Sequence, residues 1–325
     1  MKKLSSLSLV LSAAAFSLCG PVLAQSSYPE RAVRLIVPFS AGGGQDIFMR
    51  HAAPIISEHL GQTVFIENKP GAAGVIGANY VKASRPDGYT LLVGTAATHG
   101  MLQAMTKDLS FDAEKDFEPI GLIANVPLVL AVNNNVPANN VTELVNILRD
   151  KPQDHPYASS GTGAPLHLAG ELFKKETKVE SVHVPYKGSG PAMQDLVAGR
   201  ISYMFDTFAA TNPHVEAGTL KRLGIASENR FAGDPELPTL KEQGYDVVAN
   251  SWTGIFAPAG TPKEVQLKIL DALQKTMNDE ALGKKLLVIG FEPNTQIDSE
   301  RFRQFVSNEL KKWQEVVTVA KIERN

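Results

Sequence analysis

One stretch near the start limits the folds open to this chain more than any other: Val33-Arg34-Leu35-Ile36-Val37-Pro38-Phe39-Ser40-Ala41-Gly42-Gly43-Gly44-Gln45-Asp46. Its first five residues, apolar but for Arg34, have the length and β-branched content of a buried strand, and Pro38 ends it. Three glycines follow, and Asp46 then opens a helix-forming run as a capping-type residue. A strand that turns through glycine into a helix aims unpaired N–H groups at whatever lies above the strand end, and such a spot suits an anion. The pattern recurs at Gly71-Ala72-Ala73-Gly74, at Ser160-Gly161-Thr162-Gly163 and at Gly188-Ser189-Gly190. A single glycine loop is explained by tight packing as readily as by a ligand. The recurrence matters more, because ligands of open α/β sheets sit outside the carboxyl ends of the strands.

The first segment stands apart. Lys2-Lys3 is a basic head, residues 7–18 are mostly apolar, and Val22-Leu23-Ala24 offers small residues for cleavage after Ala24. This is the pattern of a secretory signal peptide, too short for a membrane span. Cys19 raises a lipoprotein alternative, against which Leu18 is bulky where a small residue is wanted. Cys19 is the chain's single cysteine, so the mature chain is expected to carry no disulfide and no thiol chemistry. Loss of Lys2 and Lys3 leaves 30 basic residues against 34 acidic, a formal charge of −4. That is no footprint for nucleic acid, and no other stretch is long and apolar enough to insert in a membrane.

Strands are expected at 63–67, 90–94, 157–159, 182–186, 201–206 and 220–226, alternating with helices, and this indicates an α/β fold. The long apolar stretch through residues 119–132, broken by Asn125 and Pro127, reads as a crossing between two lobes, and the chain returns near 247–256. The expected organisation is a signal peptide (1–24), lobe 1 (25–124 plus 246–325) and an inserted lobe 2 (125–245). Each lobe is expected to hold a mostly parallel sheet flanked by helices. One continuous doubly wound domain is the alternative, and sheets beyond about ten strands are uncommon. Thr261-Pro262 is expected to open a helix, with Thr261 as its cap.

Catalytic patterns are scarce. Neither G-x-G-x-x-G nor the Walker pattern occurs, G-x-S-x-G is absent, and no H-E-x-x-H or other metal-ligand spacing is found. An exported serine hydrolase using Ser160 with His167 or His183 is the enzymatic alternative; His167 otherwise back-bonds to its own loop. Asp46 either caps its helix or touches a ligand, and Asp206, ending an apolar strand, serves a ligand or a hinge. Phe39, Phe208 and Trp252 pack in the core or wall a small-molecule pocket.

Taken together and in order, these residues resemble a known family. Tyr28-Pro29 with the opening stretch, Glu67-Asn68-Lys69-Pro70-Gly71, Pro86-Asp87-Gly88-Tyr89, Ser159-Ser160-Gly161-Thr162-Gly163 with His167-Leu168-Ala169-Gly170-Glu171, Val184-Pro185-Tyr186-Lys187-Gly188, Phe205-Asp206 and Gly254-Ile255-Phe256-Ala257-Pro258 are similar to the motifs of Bug/TctC proteins, the periplasmic solute-binding components of tripartite tricarboxylate transporters. The resemblance implies a two-lobed flytrap that closes on a small carboxylate and delivers it to permease subunits in the membrane. It implies a periplasmic, monomeric receptor with no cofactor and no catalysis. Carried over, the ligand loop is Phe39, Ser40, Ala41, Gly42, Gly43, Gly44 and Asp46. It faces Thr95, Thr98, Ser159, Ser160, Gly161, Thr162, Gly163, Tyr186, Lys187, Gly188 and Asp206. Residues 94–99 depart from the serine-rich form commoner in the family.

Overall fold

The computed structural model describes residues 28–324, so the segment read as a signal peptide lies outside the described residues. Strand β1 (Val33–Val37) leads into helix α1 (Gly44–Leu60), β2 (Val64–Asn68), α2 (Val75–Lys82) and β3 (Thr90–Thr95). A π turn, Ala97–Met101, and the short α3 (Leu102–Met105) precede β4 (Phe117–Val126). Pro127, which has no N–H to give a ladder, separates β4 from β5 (Leu128–Asn133). Then come α4 (Val141–Asp150), β6 (Tyr157–Ser159), α5 (Pro165–Thr177), β7 (His183–Pro185), α6 (Ser189–Val197), β8 (Tyr203–Thr207), α7 (Phe208–Glu216) and β9 (Leu220–Ile225). The chain ends in β10 (Ser251–Pro258), α8 (Lys263–Met277), α9 (Glu280–Val288), β11 (Glu292–Pro293) and α10 (Ser299–Val319).

These strands form two sheets, ordered β11-β4-β10-β3-β1-β2 and β7-β6-β8-β5-β9. The glycine-loop strands pair in parallel as expected: β1 with β2 and β3, and β6 with β7 and β8. The strands that carry the chain between sheets do not. β10 runs against β3 and β4, and β5 runs against β8 and β9, so each sheet is mixed. Direction follows from the point of entry. β4 leaves the first sheet at the end where β3 terminates, and Thr253 of β10 lies opposite Thr95. Leu128 likewise enters the second sheet opposite Thr207, the last residue of β8. A strand that enters a sheet where its neighbours finish must run against them.

One apolar cluster fills the first sheet against α1 and α8, with Leu35, Phe48, Ile56, Ile255 and Ile269 buried in it. A second runs from Leu92 and Phe256 through Trp252 and the α10 residues Phe302, Val306 and Trp313 to Leu130 and Phe205 of the second sheet. Helix α10 therefore belongs to both halves. Of the two readings for Trp252 the structure bears out core packing: it is fully buried, and its indole donates to Glu309 Oε2 at 3.0 Å. Phe208 packs on Phe231, beneath the Arg222 guanidinium at 3.8 Å. Thr261 does not cap α8: Pro262 holds the cap position, and the Thr261 hydroxyl donates to Pro258 O at 2.8 Å.

Candidate functional site

The first loop is shaped by glycine and braced by Asp46. Gly42 takes φ +78°, where a β-carbon is costly, and Gly43 occupies the cap position of α1. The Gly43 N–H donates to Ser40 O at 3.2 Å, and the helix ladder starts with Ile47 N–H to Gly43 O at 2.9 Å. The amides of Gly44, Gln45 and Asp46 find no acceptor among the described residues. Residues 40–44 are exposed. They present the positive end of a 17-residue helix to the space above β1.

Asp46 is not the cap; it is the third residue of α1, and it is 2% exposed. Its Oδ2 accepts from Gly42 N–H and from Arg50 Nε, both at 2.9 Å, and its Oδ1 accepts from Asn68 Nδ2 at 3.0 Å. The same Asn68 amide donates to Phe39 O at 3.1 Å. One carboxylate thus ties both ends of the loop to the neighbouring strand. The Arg50 hydrogen bond, aided by those from Gly42 and Asn68, holds its pKa down to about 2. Asp46 stays charged, compensated and occupied from within.

Beside this loop lies a turn that the sequence marks only by its glycines. A β-carbon on Gly74 would come within 2.5 Å of Thr98 Cγ2 and 3.8 Å of Phe39 Cε1, so this turn closes on both residues. Ala72 and Ala73, both exposed, adopt φ +46° and +53°, a left-handed pair that costs on the order of 1–3 kcal/mol per residue. Such strain persists only where the surroundings impose it. Thr95 and Thr98 form a buried wall rather than an open rim. Thr98 Oγ1 accepts from Thr95 N–H at 3.0 Å and sits 2.9 Å from His99 Nδ1, while Thr95 Oγ1 has no partner among the described residues.

The second loop gathers Ser159, Ser160, Gly161, Thr162 and Gly163 with Tyr186, Lys187 and Gly188. Tyr186 N–H donates to Ser159 O at 3.1 Å and Gly188 N–H to Ser160 O at 3.2 Å. The amides of Ser160 and Thr162 have no acceptor among the described residues. Tyr186 is turned away: its hydroxyl donates to Asp195 Oδ2 at 2.7 Å, and burial together with Asp195 pushes its pKa up to about 12. Lys187 is exposed. Asp206, 3% exposed, accepts from the Ser189 hydroxyl and, at 2.7 Å, from Thr207 N–H. Burial raises its pKa. It fixes the first residue of α6, directly after Gly188.

The second loop packs against α3. A β-carbon on Gly163, at φ +74°, would stand 2.5 Å from Met105 Cε, so the second loop rests on the helix that follows Thr98. Ser160 is not brought to an imidazole. His183 Nε2 lies 2.7 Å from the hydroxyl of Ser159, which is fully buried, and His167 Nδ1 accepts from Gly163 N–H at 2.9 Å. The arrangement expected of a serine hydrolase is therefore not formed. The imidazoles brace the loop instead, a role that only the back-bonding reading of His167 hinted at. Ser189 also escaped sequence reasoning, because nothing in its neighbourhood announces its acceptor.

Known proteins show the family and the fold. The model of the tripartite tricarboxylate transporter family receptor, TctC, matches residues 48–322. The structure of the periplasmic binding protein BugD is 33% identical, with a TM-score of 0.73, over 92% of this chain and 100% of that one. A Rhodopseudomonas palustris protein solved with adipate is 34% identical, with a TM-score of 0.76, over 92% of this chain and 100% of that one. MatC from the same organism, with bound malate, is 31% identical, with a TM-score of 0.71, over 89% and 100%. This two-sheet α/β chain belongs to the TctC family of tripartite tricarboxylate transporter receptors, the Bug proteins.

Proposed function

We propose that this chain is a periplasmic, non-catalytic receptor that captures a small carboxylate between the loop of residues 39–44 and the loop of residues 159–163. The observation that carries this reading is the pair of glycine loops whose amides at Gly44 and Gln45, and at Ser160 and Thr162, have no acceptor among the described residues. A carboxylate spends its charge well on several N–H donors, because each bond is charge-assisted. Two relatives of the same architecture were solved with dicarboxylates, adipate and malate. In the proposed division, residues 25–124 with 246–325 form one lobe and 125–245 the other, hinged at the β4–β5 junction and at residues 245–250. Closure completes the shell only with ligand present, so binding shifts an open–closed equilibrium that a membrane permease can read. The receptor works as a monomer, and residues 1–24 direct its export.

A thermal-shift screen with adipate, malate, citrate and aromatic monoacids tests the reading. A ligand present at 100 times its Kd adds about 2.7 kcal/mol. At least one acid is expected to raise the unfolding midpoint by several degrees; no response to any of them at millimolar concentration would overturn the assignment.

A further inference from the structure

The loop of residues 159–163 rests on two imidazoles. His167 in α5 and His183 in β7 stack with ring centroids 3.9 Å apart and planes 16° from parallel. Each holds one end of the loop. Gly163 donates its N–H to His167 Nδ1 at 2.9 Å. Ser159 Oγ donates to Gly161 O at 3.1 Å and accepts from Gly161 N–H at 3.2 Å, so it accepts from the Nε2–H of His183, 2.7 Å away. A ring nitrogen that accepts is unprotonated, so His167 is neutral with its proton on Nε2, and an imidazolium has no acceptor to offer Gly163. Between the braced residues stand the free amides of Ser160 and Thr162.

We propose that His167 and His183 are positioning residues of the carboxylate site. In the neutral form they aim the Ser160 and Thr162 amides, and a proton on the pair releases the loop and weakens ligand binding. This rests on the reading of residues 159–163 as one jaw of that site.

The charged and titratable groups around the pair are few. On α5, Glu171 Oε1 lies 3.8 Å from His167 Nε2 and is shared with Tyr157 Oη at 2.5 Å and Lys174 Nζ at 3.0 Å. From β6, Tyr157 stacks on His183 at 4.9 Å, and from β8, Tyr203 stacks on Tyr157 at 5.6 Å. Burial dominates: it lowers the pKa of His167 and, with the neighbouring His167 ring, takes His183 down to about 4. Glu171 opposes this only in part. Two cations cannot share a 3.9 Å stack, so the pair takes one proton as pH falls from neutral towards 4. A cation behind the loop would also attract an anionic ligand. That attraction is single and screened, whereas loss of the loop geometry removes several charge-assisted bonds together, so binding weakens.

The test has two arms on the full mature chain. In a ¹H–¹⁵N titration from pH 7.5 to 4.5 without ligand, the amides of Gly161 and Gly163 should move with one shared midpoint, and those of Gly42 and Gly43 should not follow it. The variant H167N/H183Q replaces both rings with carboxamides that do not titrate, and it should abolish that midpoint. In the second arm, calorimetry with adipate at pH 7.5 and 5.0 should show the unaltered protein losing more affinity than the variant, whose loss reports adipate's own protonation. Equal losses in both proteins, or tighter binding by the unaltered protein at pH 5.0, would overturn the inference. Gly163 shifts that ignore the imidazoles would do the same without any ligand. Failure of the unaltered protein to bind adipate at pH 7.5 would count against the carboxylate reading for this probe, with the loop coupling decided by the amide titration.

Discussion

Two buried aspartates brace the two loops, and their opposite surroundings give opposite responses to pH. Asp46 has Arg50 and two N–H donors, and its pKa is depressed to about 2. It contributes stability that is present above the ordinary carboxylate pKa and is lost as pH falls from there towards 2. Asp206 has the Ser189 hydroxyl and the Thr207 amide but no cation, and burial raises its pKa. Its charged form opposes folding at neutral pH, and the penalty is relieved as pH falls through its folded pKa towards the unfolded value. Asp46→Ala strands the Gly42 N–H and the Asn68 amide, so a loss of about 1–3 kcal/mol is expected in urea unfolding at pH 7, shrinking below pH 3. Asp206→Asn keeps the acceptor for Thr207 and gives up the charge. Its thermal midpoint at pH 7.5 is expected to equal or exceed that of the unaltered protein; a drop of more than a few degrees would contradict this account of Asp206. At this scale the sequence is only half legible. Gly42-Gly43-Gly44 announces a loop, but the tie from Asp46 to Asn68 joins residues 22 apart and depends on β1 pairing with β2.

Elements were easier to foresee than their directions. The strand at 33–37 and strands β6, β7, β8 and β9 of the second sheet fall within a few residues of their expected bounds, because their apolar pattern is strong. The antiparallel course of β5 and β10 follows from where the chain crosses between sheets, which no local pattern records. Trp252 shows the same limit: an aromatic beside a predicted loop proves to be a core anchor, because β10 turns it towards α10. Trp313 of helix α10 is fully buried in the core cluster that the two halves share, and it donates to Glu309 Oε2 of its own helix at 3.1 Å. Trp313→Ala opens a large cavity and removes a donor from a buried carboxylate, so a loss of about 3–5 kcal/mol is expected. Urea unfolding monitored by circular dichroism measures it. A cost below 1 kcal/mol would mean that α10 is not the structural link argued here.

At the scale of the whole molecule, two sheets share one core cluster through α10, and the glycine loops follow the ends of β1 and β6. In the proposed receptor the anion is met on each side by helix-start or loop amides, and buried side chains hold those segments: Asp46 on one jaw, and the imidazole pair with Asp206 on the other. The central claim is that one carboxylate is gripped by both loops at once. A crystal structure of the chain with the acid that gives the largest thermal shift tests it most directly. The account predicts carboxylate oxygens within hydrogen-bond distance of the Gly44 or Gln45 amide and of the Ser160 or Thr162 amide. A ligand bound elsewhere, or held by one loop with the other turned away, would contradict it.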